Sequence, residues 1–259
     1  MSLPNLIRVT TKNKDIARKK NKMRMRKKKN GEARLSACRE LLLYDINEPM
    51  NDPAAKIMMP GAEVFLEIGA GKGGFACKMA QKHPDAAYFA MEKISDCVVL
   101  AAEKAKQAEP SPIKNLRFIV DTADNLTSLF ASGTVDKIFL NFSDPWSKKG
   151  YAKRRLTHRR YLAVYFNLLR DGGKITFKTD NVGLFDFSLE EISAMGITPD
   201  FTTRDLHNSV RALDNVMTEY ETNFSSLGMA INMLELTKPA GFIPEISDEL
   251  SGDRKRYFK

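Results

Sequence analysis

Short apolar runs alternate with longer amphipathic stretches through the middle of the chain. The apolar runs, which predict strands, cover residues 64–68, 87–91, 116–120, 137–142 and 174–178. The amphipathic stretches, which predict helices, lie near residues 75–82, 96–107, 161–169 and 184–194. Strands that alternate with helices are typical of a parallel sheet covered on both faces. The pattern therefore predicts an α/β, Rossmann-like fold with a mostly parallel sheet and helices on both faces.

The flanks of this pattern are less regular. Residues 32–44 follow a roughly helical pattern, and the Asp-Gly-Gly triplet at 171–173 predicts a turn before the last of these strands. Residues 198–206 and 228–236 predict additional edge strands. The chain is thereby divided into three parts, which are a basic disordered arm at 1–30, the main domain at 31–238 and a surface extension at 239–259.

Composition narrows the class of protein. Apolar residues make up 43% and charged residues 28% of the chain, as is typical of soluble globular proteins, and no apolar run reaches the roughly 18 residues of a membrane span. Cys38, Cys77 and Cys97 share no metal-ligand spacing and are too few for a disulfide framework. The basic N-terminus lacks the apolar core of a secretory signal. We expect a cytoplasmic protein with no metal and no membrane segment, either monomer or homodimer.

The positive charge is concentrated at the N-terminus. The chain has a net charge of +9, and residues 1–30 hold twelve Lys or Arg against one acid, Asp15. The remaining 229 residues carry 29 Lys or Arg and 31 acids, so the body is close to neutral. A basic arm on such a body is typical of binding to a polyanion, because neutralised phosphates release condensed counterions. A solvated tail without a partner is the alternative.

A glycine-rich turn follows the first predicted strand. Gly69 and Gly71 stand between this strand and the next helix, where glycine permits positive φ and close approach of the backbone to a ligand. Glu92 follows the second strand, where an acid can accept hydrogen bonds from both hydroxyls of a ribose. Tight turns also use glycine for structural reasons alone. Together the two features predict an adenosine-containing cofactor.

The acid inside the first strand narrows the cofactor further. Glu67 directly precedes the glycines, and its charge would repel the pyrophosphate that a dinucleotide places at a helix N-terminus. A carboxylate fits a cationic cofactor such as S-adenosylmethionine, which carries sulfonium and ammonium groups. The turn at 121–124, which includes Thr122, follows the third strand and is within reach of an adenine amino group. Its two acids are equally suited to capping the next helix.

The strand at 137–142 ends in an acid, a proline and the chain's one tryptophan, which are Asp144, Pro145 and Trp146. Ligands in open α/β sheets bind at this edge, so these residues predict a base-binding corner, or else a turn with a core tryptophan. The next segment, 147–160, has seven cations, one aromatic residue and no acid. Such cations would hold a nucleic-acid backbone in register with the corner.

These features resemble the bacterial tRNA (guanine-N7)-methyltransferase (TrmB) family. The matching segments are residues 66–69, 141–146, 148–149, 153–156, 178–181, 206–208 and 217–221, with a further similarity at 23–26. The resemblance covers roughly residues 23–236. It implies a Rossmann-like, S-adenosylmethionine-dependent methyltransferase fold, with S-adenosylmethionine as the cofactor and tRNA as the partner. The implied reaction is methylation of N7 of guanine 46 in the tRNA variable loop.

The resemblance also implies roles for individual residues. Asp144 would be the catalytic carboxylate. The cofactor contacts would be Glu67, Glu92, Thr122 and Asp144, beside the turn glycines Gly69 and Gly71. The substrate contacts would be Lys148, Asp180, Thr218, Glu219, Tyr220 and Glu221.

The chain departs from the family pattern at three places. Thr122 stands where an acid or amide is common, so the adenine contact is open between Thr122 and a neighbouring acid. Ser147 replaces a usual proline, and Gly150 and Tyr151 replace a usual Arg-His pair. These changes affect the stiffness of the basic segment and its contact with tRNA.

The chemistry implied by the resemblance requires little of the protein besides geometry. Guanine N7 carries an in-plane lone pair, so its methylation needs no prior deprotonation, and positioning and electrostatics suffice. Three alternatives remain. The first is an amino-methyltransferase, which has a loop similar to residues 143–146 but with a second proline. The second is a non-catalytic tRNA-binding protein, which would not need Glu67, Glu92 and Asp144 together. The third is a dehydrogenase, which Glu67 disfavours.

Overall fold

A computed structural model of the chain describes residues 28–109 and 112–246. Most of the predicted basic arm, the similarity at 23–26 and the end of the predicted extension lie outside these described residues. The division of the chain into arm, domain and extension therefore stays a prediction.

Seven strands form one sheet. They are β1 (Val64–Ile68), β2 (Ala87–Glu92), β3 (Leu116–Val120), β4 (Val135–Asn141), β5 (Leu169–Thr179), β6 (Phe201–Thr203) and β7 (Asn232–Thr237). Their order across the sheet is β3-β2-β1-β4-β5-β7-β6. Strands β1 to β5 pair in parallel, and β7 runs antiparallel to both β5 and β6. The predicted mostly parallel sheet is confirmed.

Helices cover both faces of the sheet. They are α1 (Gly31–Ser36), α2 (Gly74–Lys82), α3 (Ser95–Lys106), α4 (Leu126–Leu129), α5 (Arg159–Leu168), α6 (Val182–Ser193) and α7 (Glu219–Ser225). Strand β1 shows how one sequence serves two cores, since Phe65 packs with α2 and α3 while Leu66 packs with α5 and α6. Side chains that alternate between the faces of a strand produce this division.

Three local predictions need correction. The segment 32–44 is not one helix, because α1 ends at Ser36 and a short 3-10 turn, Arg39–Leu41, follows. The triplet at 171–173 lies within β5, where Val135 pairs with Leu169 but Lys137 pairs with Lys174, so the additional residues form a bulge. Strand β7 is internal, since it pairs on both sides, and β6 is the edge.

The strand order places a crevice at one edge of the sheet. Chain connections run outward from β1 through β2 to β3 on one side and from β4 to β5 on the other, so the order reverses between β1 and β4. Ligands in open α/β sheets bind at the carboxyl ends of the strands at such a reversal. The fold therefore brings the residues that follow β1, β2, β3 and β4 to one place.

Two absences concern the described residues only. No helix in residues 28–109 or 112–246 has the length and apolarity needed to cross a bilayer. Within the same ranges, no three His, Cys, Asp or Glu residues are grouped as metal ligands.

Candidate active site

A cleft of about 570 Å³ opens at the carboxyl ends of β1 to β4. Four of the residues predicted as cofactor contacts line it, and these are Gly69, Glu92, Thr122 and Asp144. Phe142, Trp146 and Arg154 complete the side towards the basic segment. The topology has thus gathered the ends of four strands, whereas the other two predicted contacts, Glu67 and Gly71, do not line the cleft.

Glu92 ties the glycine turn to the tip of β2. Its Oε2 accepts the backbone N–H of Gly71 at 3.0 Å, and its Oε1 accepts the backbone N–H of Ile94 at 2.9 Å. Gly69 has a φ of 85° and Gly71 a φ of 54°, values that side chains other than glycine rarely adopt. Each Glu92 oxygen can accept a second hydrogen bond, and Glu92 lines the cleft. The carboxylate therefore shapes the turn and can still accept ligand hydroxyls.

Glu67 lies buried behind the turn, with 2% of its surface exposed. Its Oε1 accepts a hydrogen bond from Asn141 Nδ2 at 3.0 Å. Within the described part of the chain, Glu67 Oε2, Asn141 Oδ1 and Ser143 Oγ have no hydrogen-bond partner. Burial raises the pKa of Glu67 to about 7, against the weaker opposing effects of the Asn141 bond and the Lys178 charge.

Unpartnered buried acceptors are costly in a protein. Two of those beside the cleft, Glu67 Oε2 and Asn141 Oδ1, accept donors, and the carboxylate in addition favours a positive charge. A cationic cofactor that carries an amine supplies both properties. The acceptors present here therefore fit such a cofactor.

The turn after β3 is organised by its own acids. Asp121 Oδ1 accepts hydrogen bonds from the Thr122 backbone N–H at 2.8 Å and from Asn125 Nδ2 at 2.7 Å. Asp124 Oδ1 accepts the hydroxyl of Tyr161 at 2.7 Å. Both acids hold the turn and its neighbours in place, and both line the cleft together with Thr122. The acids therefore have a structural role within the turn, but the predicted capping is not observed, because the two short helices that follow begin without a side-chain cap hydrogen bond.

The segment from Phe142 to Trp146, here named the Asp144 loop, has an unusual backbone. Phe142 has a φ of 52° and Trp146 a φ of 41°, and left-handed conformations of residues other than glycine cost roughly 1–3 kcal/mol each. The backbone N–H of Phe142 donates to the Lys178 carbonyl at 2.8 Å. Asp144 is exposed at the cleft mouth. Strain in a loop that presents an acid to a cleft is typical of a functional segment.

Two of the predicted substrate residues approach the cleft through an aromatic contact. The Tyr220 hydroxyl donates to Asp180 Oδ2 at 3.3 Å, and the ring centroids of Tyr220 and Phe142 are 4.9 Å apart. Phe142 itself lines the cleft. Asp180 and Tyr220 therefore lie behind Phe142, next to the Asp144 loop, although neither of them lines the cleft itself.

Glu221 and Thr218 lie instead in a buried polar cluster below helix α7. Glu221 is fully buried, and its Oε2 accepts Lys178 Nζ at 2.7 Å. Its Oε1 accepts Asn215 Nδ2 at 2.6 Å and lies 2.9 Å from His207 Nε2. Thr218 and Glu221 also form a reciprocal capping box at the start of α7. The cluster fixes the helix that carries Tyr220.

Glu219 and Lys148 are the remaining predicted substrate residues. Glu219 is paired with Lys104 of helix α3, on the side of the Gly-rich turn. Lys148 is exposed at the beginning of the basic segment, directly after the Asp144 loop. Neither lines the cleft. Their predicted substrate contacts stay predictions.

The seven cations of the basic segment divide into two groups. Three of them bind the protein itself, since Arg155 donates to backbone carbonyls, Arg159 pairs with Glu191, and Arg160 pairs with Asp124. The other four, Lys148, Lys149, Lys153 and Arg154, are exposed, as is Arg159 despite its pair with Glu191. The exposed group is suited to contact phosphates. Sequence alone did not separate the groups, because the partners of the inward-facing cations come from distant segments.

Comparison with known proteins identifies several similarities. A family model described as "Putative methyltransferase" matches residues 61–234. A tRNA (guanine-N(7)-)-methyltransferase of Bacillus subtilis is 43% identical over 173 residues, which are 67% of this chain and 79% of that protein. A protein of the same name from Macrococcus caseolyticus is 42% identical over 172 residues, 66% of this chain and 80% of that protein.

A similarity in fold is found with a more distant protein. It is a variant of a 16S rRNA (adenine(1408)-N(1))-methyltransferase from Catenulisporales acidiphilia, solved with its cosubstrate SAM. The two chains superpose with a TM-score of 0.51 at 12% identity, covering 78% of this chain and 95% of the other. At this identity the similarity concerns the fold alone.

Proposed function

The chain belongs to the bacterial tRNA (guanine-N7)-methyltransferase family, and on this premise we propose how the residues of its cleft serve the reaction. The enzyme transfers a methyl group from S-adenosylmethionine to N7 of guanine 46 in the variable loop of tRNA. The roles of individual residues are our proposal.

The observation that carries the proposal is the unpartnered Oε2 of buried Glu67. S-adenosylmethionine supplies an electrophilic methyl group on a sulfonium, and it also carries an ammonium group. Glu67 and Asn141 would accept hydrogen bonds from that ammonium, which relieves the cost of the buried acceptors. The positive ligand would in turn hold Glu67 in its ionised form.

The other cofactor contacts follow from the geometry of the turns. Glu92 would accept the ribose hydroxyls, because it lines the cleft at the tip of β2 and each of its oxygens can accept a second hydrogen bond. Gly69 and Gly71 would let the backbone approach the ligand closely. Thr122 would meet the adenine, since its hydroxyl donates to Asp124 Oδ2 at a long 3.4 Å, whereas both acids accept short hydrogen bonds from neighbouring residues.

Asp144 is proposed as the catalytic carboxylate. Glu67 and Glu92 would hold S-adenosylmethionine so that it supplies its methyl group to N7 as the bond from that carbon to sulfur breaks, and its positive charge would pass to the purine. A fixed carboxylate near the ring favours the developing charge and accepts hydrogen bonds from guanine N–H groups. No proton needs to be removed, so the residues position the base and balance its charge.

The remaining substrate residues would hold the base and the RNA. Asp180 and Tyr220 would contact the guanine beside the Asp144 loop, and Thr218, Glu219 and Glu221 would act mainly by placing the helix that carries Tyr220. Lys148 and the other exposed cations of the basic segment would bind phosphates. Drawing the guanine from its stack costs a few kcal/mol, which phosphate contacts offset.

The substitution Asp144→Asn tests the catalytic role. We expect methyl transfer to be nearly abolished while the variant keeps its fold, since the side chain is exposed. The matched control is Asp85→Asn, an exposed acid at the opposite edge of the sheet, which should retain turnover. Mass spectrometry of tRNA nucleosides identifies the product. Near-normal turnover of Asp144→Asn would remove this residue from the mechanism, and an exocyclic N-methyl product would favour the amino-methyltransferase alternative.

A further inference from the structure

Two adjacent arginines of the basic segment point in different directions. Arg154 is exposed, and its guanidinium lies 5.1 Å from the ring centroid of Trp146 and 4.7 Å from that of Tyr151. Arg155 is half-buried and is turned towards the Asp144 loop. Its Nε donates to the Pro145 carbonyl at 3.0 Å, and its Nη2 donates to the Trp146 carbonyl at 3.2 Å.

We propose that Arg155 is a positioning residue, which holds the backbone of the Asp144 loop so that Asp144 meets the substrate, and that it is not one of the phosphate-binding cations. The inference rests on the proposed function, because it names a support for the same catalytic carboxylate. It separates Arg155 from its neighbours in a segment whose sequence suggests one uniform role.

The geometry is suited to holding a strained turn. A guanidinium is a planar fork with fixed donors, and here two of its nitrogens bind two consecutive carbonyls directly after Asp144. One of these carbonyls belongs to Trp146, whose left-handed φ of 41° needs support from its surroundings. With both carbonyls held, the two residues after the catalytic carboxylate are fixed at one end of the loop, and the Phe142 N–H fixes the other.

The Arg155 side chain is itself held in place by the main domain. The Arg155 guanidinium lies 4.2 Å from the ring centroid of Phe187 on helix α6. Two residues further along the chain, the buried Thr157 hydroxyl is hydrogen-bonded to Ser188 Oγ of the same helix at 2.7 Å. Arg155 is therefore held between α6 and the Asp144 loop, whereas no comparable contact of the exposed lysines of the segment is found among residues 28–109 and 112–246.

The exchange of Arg155 for lysine or alanine, with Lys149→Ala as the matched control, tests the proposal kinetically. A lysine keeps the charge but cannot hold two carbonyls with one fork. We expect Arg155→Lys and Arg155→Ala both to lower kcat by roughly tenfold to a hundredfold, since small misplacements of catalytic groups have effects of this size. The KM for tRNA and its salt dependence should change little. In Lys149→Ala the loss should fall on KM and flatten the salt dependence.

The chain's single tryptophan gives a readout that needs no methylation. Trp146 lies in the braced loop, so in both Arg155 variants its emission should shift and its quenching by acrylamide should increase, while Lys149→Ala keeps the wild-type spectrum. A kcat retained by Arg155→Lys, a rise in tRNA KM without loss of kcat, or unchanged Trp146 emission would each overturn the proposal. Wild-type protein that yields no 7-methylguanosine would instead overturn the proposed function, whatever the emission shows.

Discussion

Two buried glutamates near the same sheet edge have opposite surroundings. Glu67, on β1 behind the cleft, shares one oxygen with Asn141 and leaves the other without a partner in the described structure. Glu221, in the first turn of α7, binds Lys178, Asn215 and the backbone of its own helix. Exposure does not distinguish them, since both side chains are almost fully buried.

Because their partners differ, the pKa values of the two glutamates are shifted in opposite directions. Burial raises the pKa of Glu67 to about 7, because little nearby favours its charged form. Burial also acts to raise the pKa of Glu221, but the Lys178 charge and the hydrogen bonds from Lys178, Asn215 and His207 outweigh it and hold that pKa below its ordinary value. A buried carboxylate that lacks partners is suited to bind a ligand, and one that is saturated holds the fold. Glu92 lies between these cases, with one backbone donor for each oxygen.

The largest expected effect is on stability, at Glu221, whose carboxylate oxygens both have partners. Lys178→Met removes the cation that faces Glu221 and leaves a buried carboxylate without its charge partner, so the free energy of unfolding should fall by about 3–5 kcal/mol. Urea unfolding measures the change. The control is Lys174→Met, the same substitution at an exposed position of the same strand, which should stay within about 0.5 kcal/mol of wild type.

A second variant separates charge from packing in that result. Lys178→Met combined with Glu221→Gln removes both charges, and it should recover part of the stability lost by the single change, because no uncompensated charge stays buried. A single variant that loses less than about 1 kcal/mol would contradict the reading of this pair as a structural ion pair.

The next effect is the pH dependence of stability that Glu67 causes. Because the folded pKa of Glu67, about 7, exceeds its ordinary 4.5, the folded state binds this proton more tightly than the unfolded state. The resulting stability is fully present below pH 4.5 and is lost as pH rises to about 7, by up to about 3 kcal/mol. The free energy of unfolding is measured against pH for wild type and for Glu67→Gln, each without cofactor. The difference between the two profiles gives the contribution of Glu67.

Cofactor affinity should show the opposite trend. The ionised form of Glu67 binds a cation better, so the affinity for S-adenosylmethionine should rise with pH up to about 7 and then level off. Glu67→Gln should bind more weakly and lose most of this dependence. Parallel profiles in the two proteins would mean that Glu67 does not face the positive groups of the ligand.

The same contrast explains what could be predicted from sequence. The strands, the glycine turn and the acids at 67, 92 and 144 follow from periodicity and from the rule that ligands meet strand ends. Cofactor and substrate were recognised with them, through motifs that are contiguous in the chain. These features depend on neighbours in sequence or on the topology of one sheet.

The buried cluster could not be predicted in this way. Lys178 ends an apolar strand and Glu221 opens a polar helix, and only the fold brings them within 2.7 Å. The one local signal was the spacing of Thr218 and Glu221, which is that of a capping box. For the same reason the inward role of Arg155 was hidden among seven similar charges, because its anchor Phe187 lies 32 residues away.

A smaller effect, on cofactor affinity, is expected at Glu92. Glu92→Ala removes the acceptors proposed for the ribose, so the affinity for S-adenosylmethionine should fall by about 1.5–3 kcal/mol, the range for hydrogen bonds to a charged group. Isothermal titration calorimetry measures it. Glu92→Gln keeps one acceptor oxygen and should lose less, whereas unchanged affinity in the alanine variant would sink the ribose assignment.

The smallest effect is expected at the cap of helix α7. Thr218 Oγ1 accepts the backbone N–H of Glu221 at 2.9 Å, and the residue is buried. Thr218→Ala should lower the free energy of unfolding by about 1 kcal/mol, as is typical for the loss of an N-cap. Thr218→Ser keeps the acceptor and should be close to wild type in stability. The matched control is Thr222→Ala on the same helix, whose hydroxyl donates to a carbonyl and caps nothing.

Turnover of the same variants decides between two roles for Thr218. If the residue acts by holding α7, the rate at saturating substrates should change little below the unfolding temperature, and cofactor affinity should be unchanged. If its hydroxyl contacts the guanine, Thr218→Ala should lose turnover without an equivalent loss of stability, and Thr218→Ser should restore it. Because the hydroxyl already caps the helix N-terminus, we expect turnover to change little. Thr218 would then, like Glu221, stabilise the fold rather than contact the substrate.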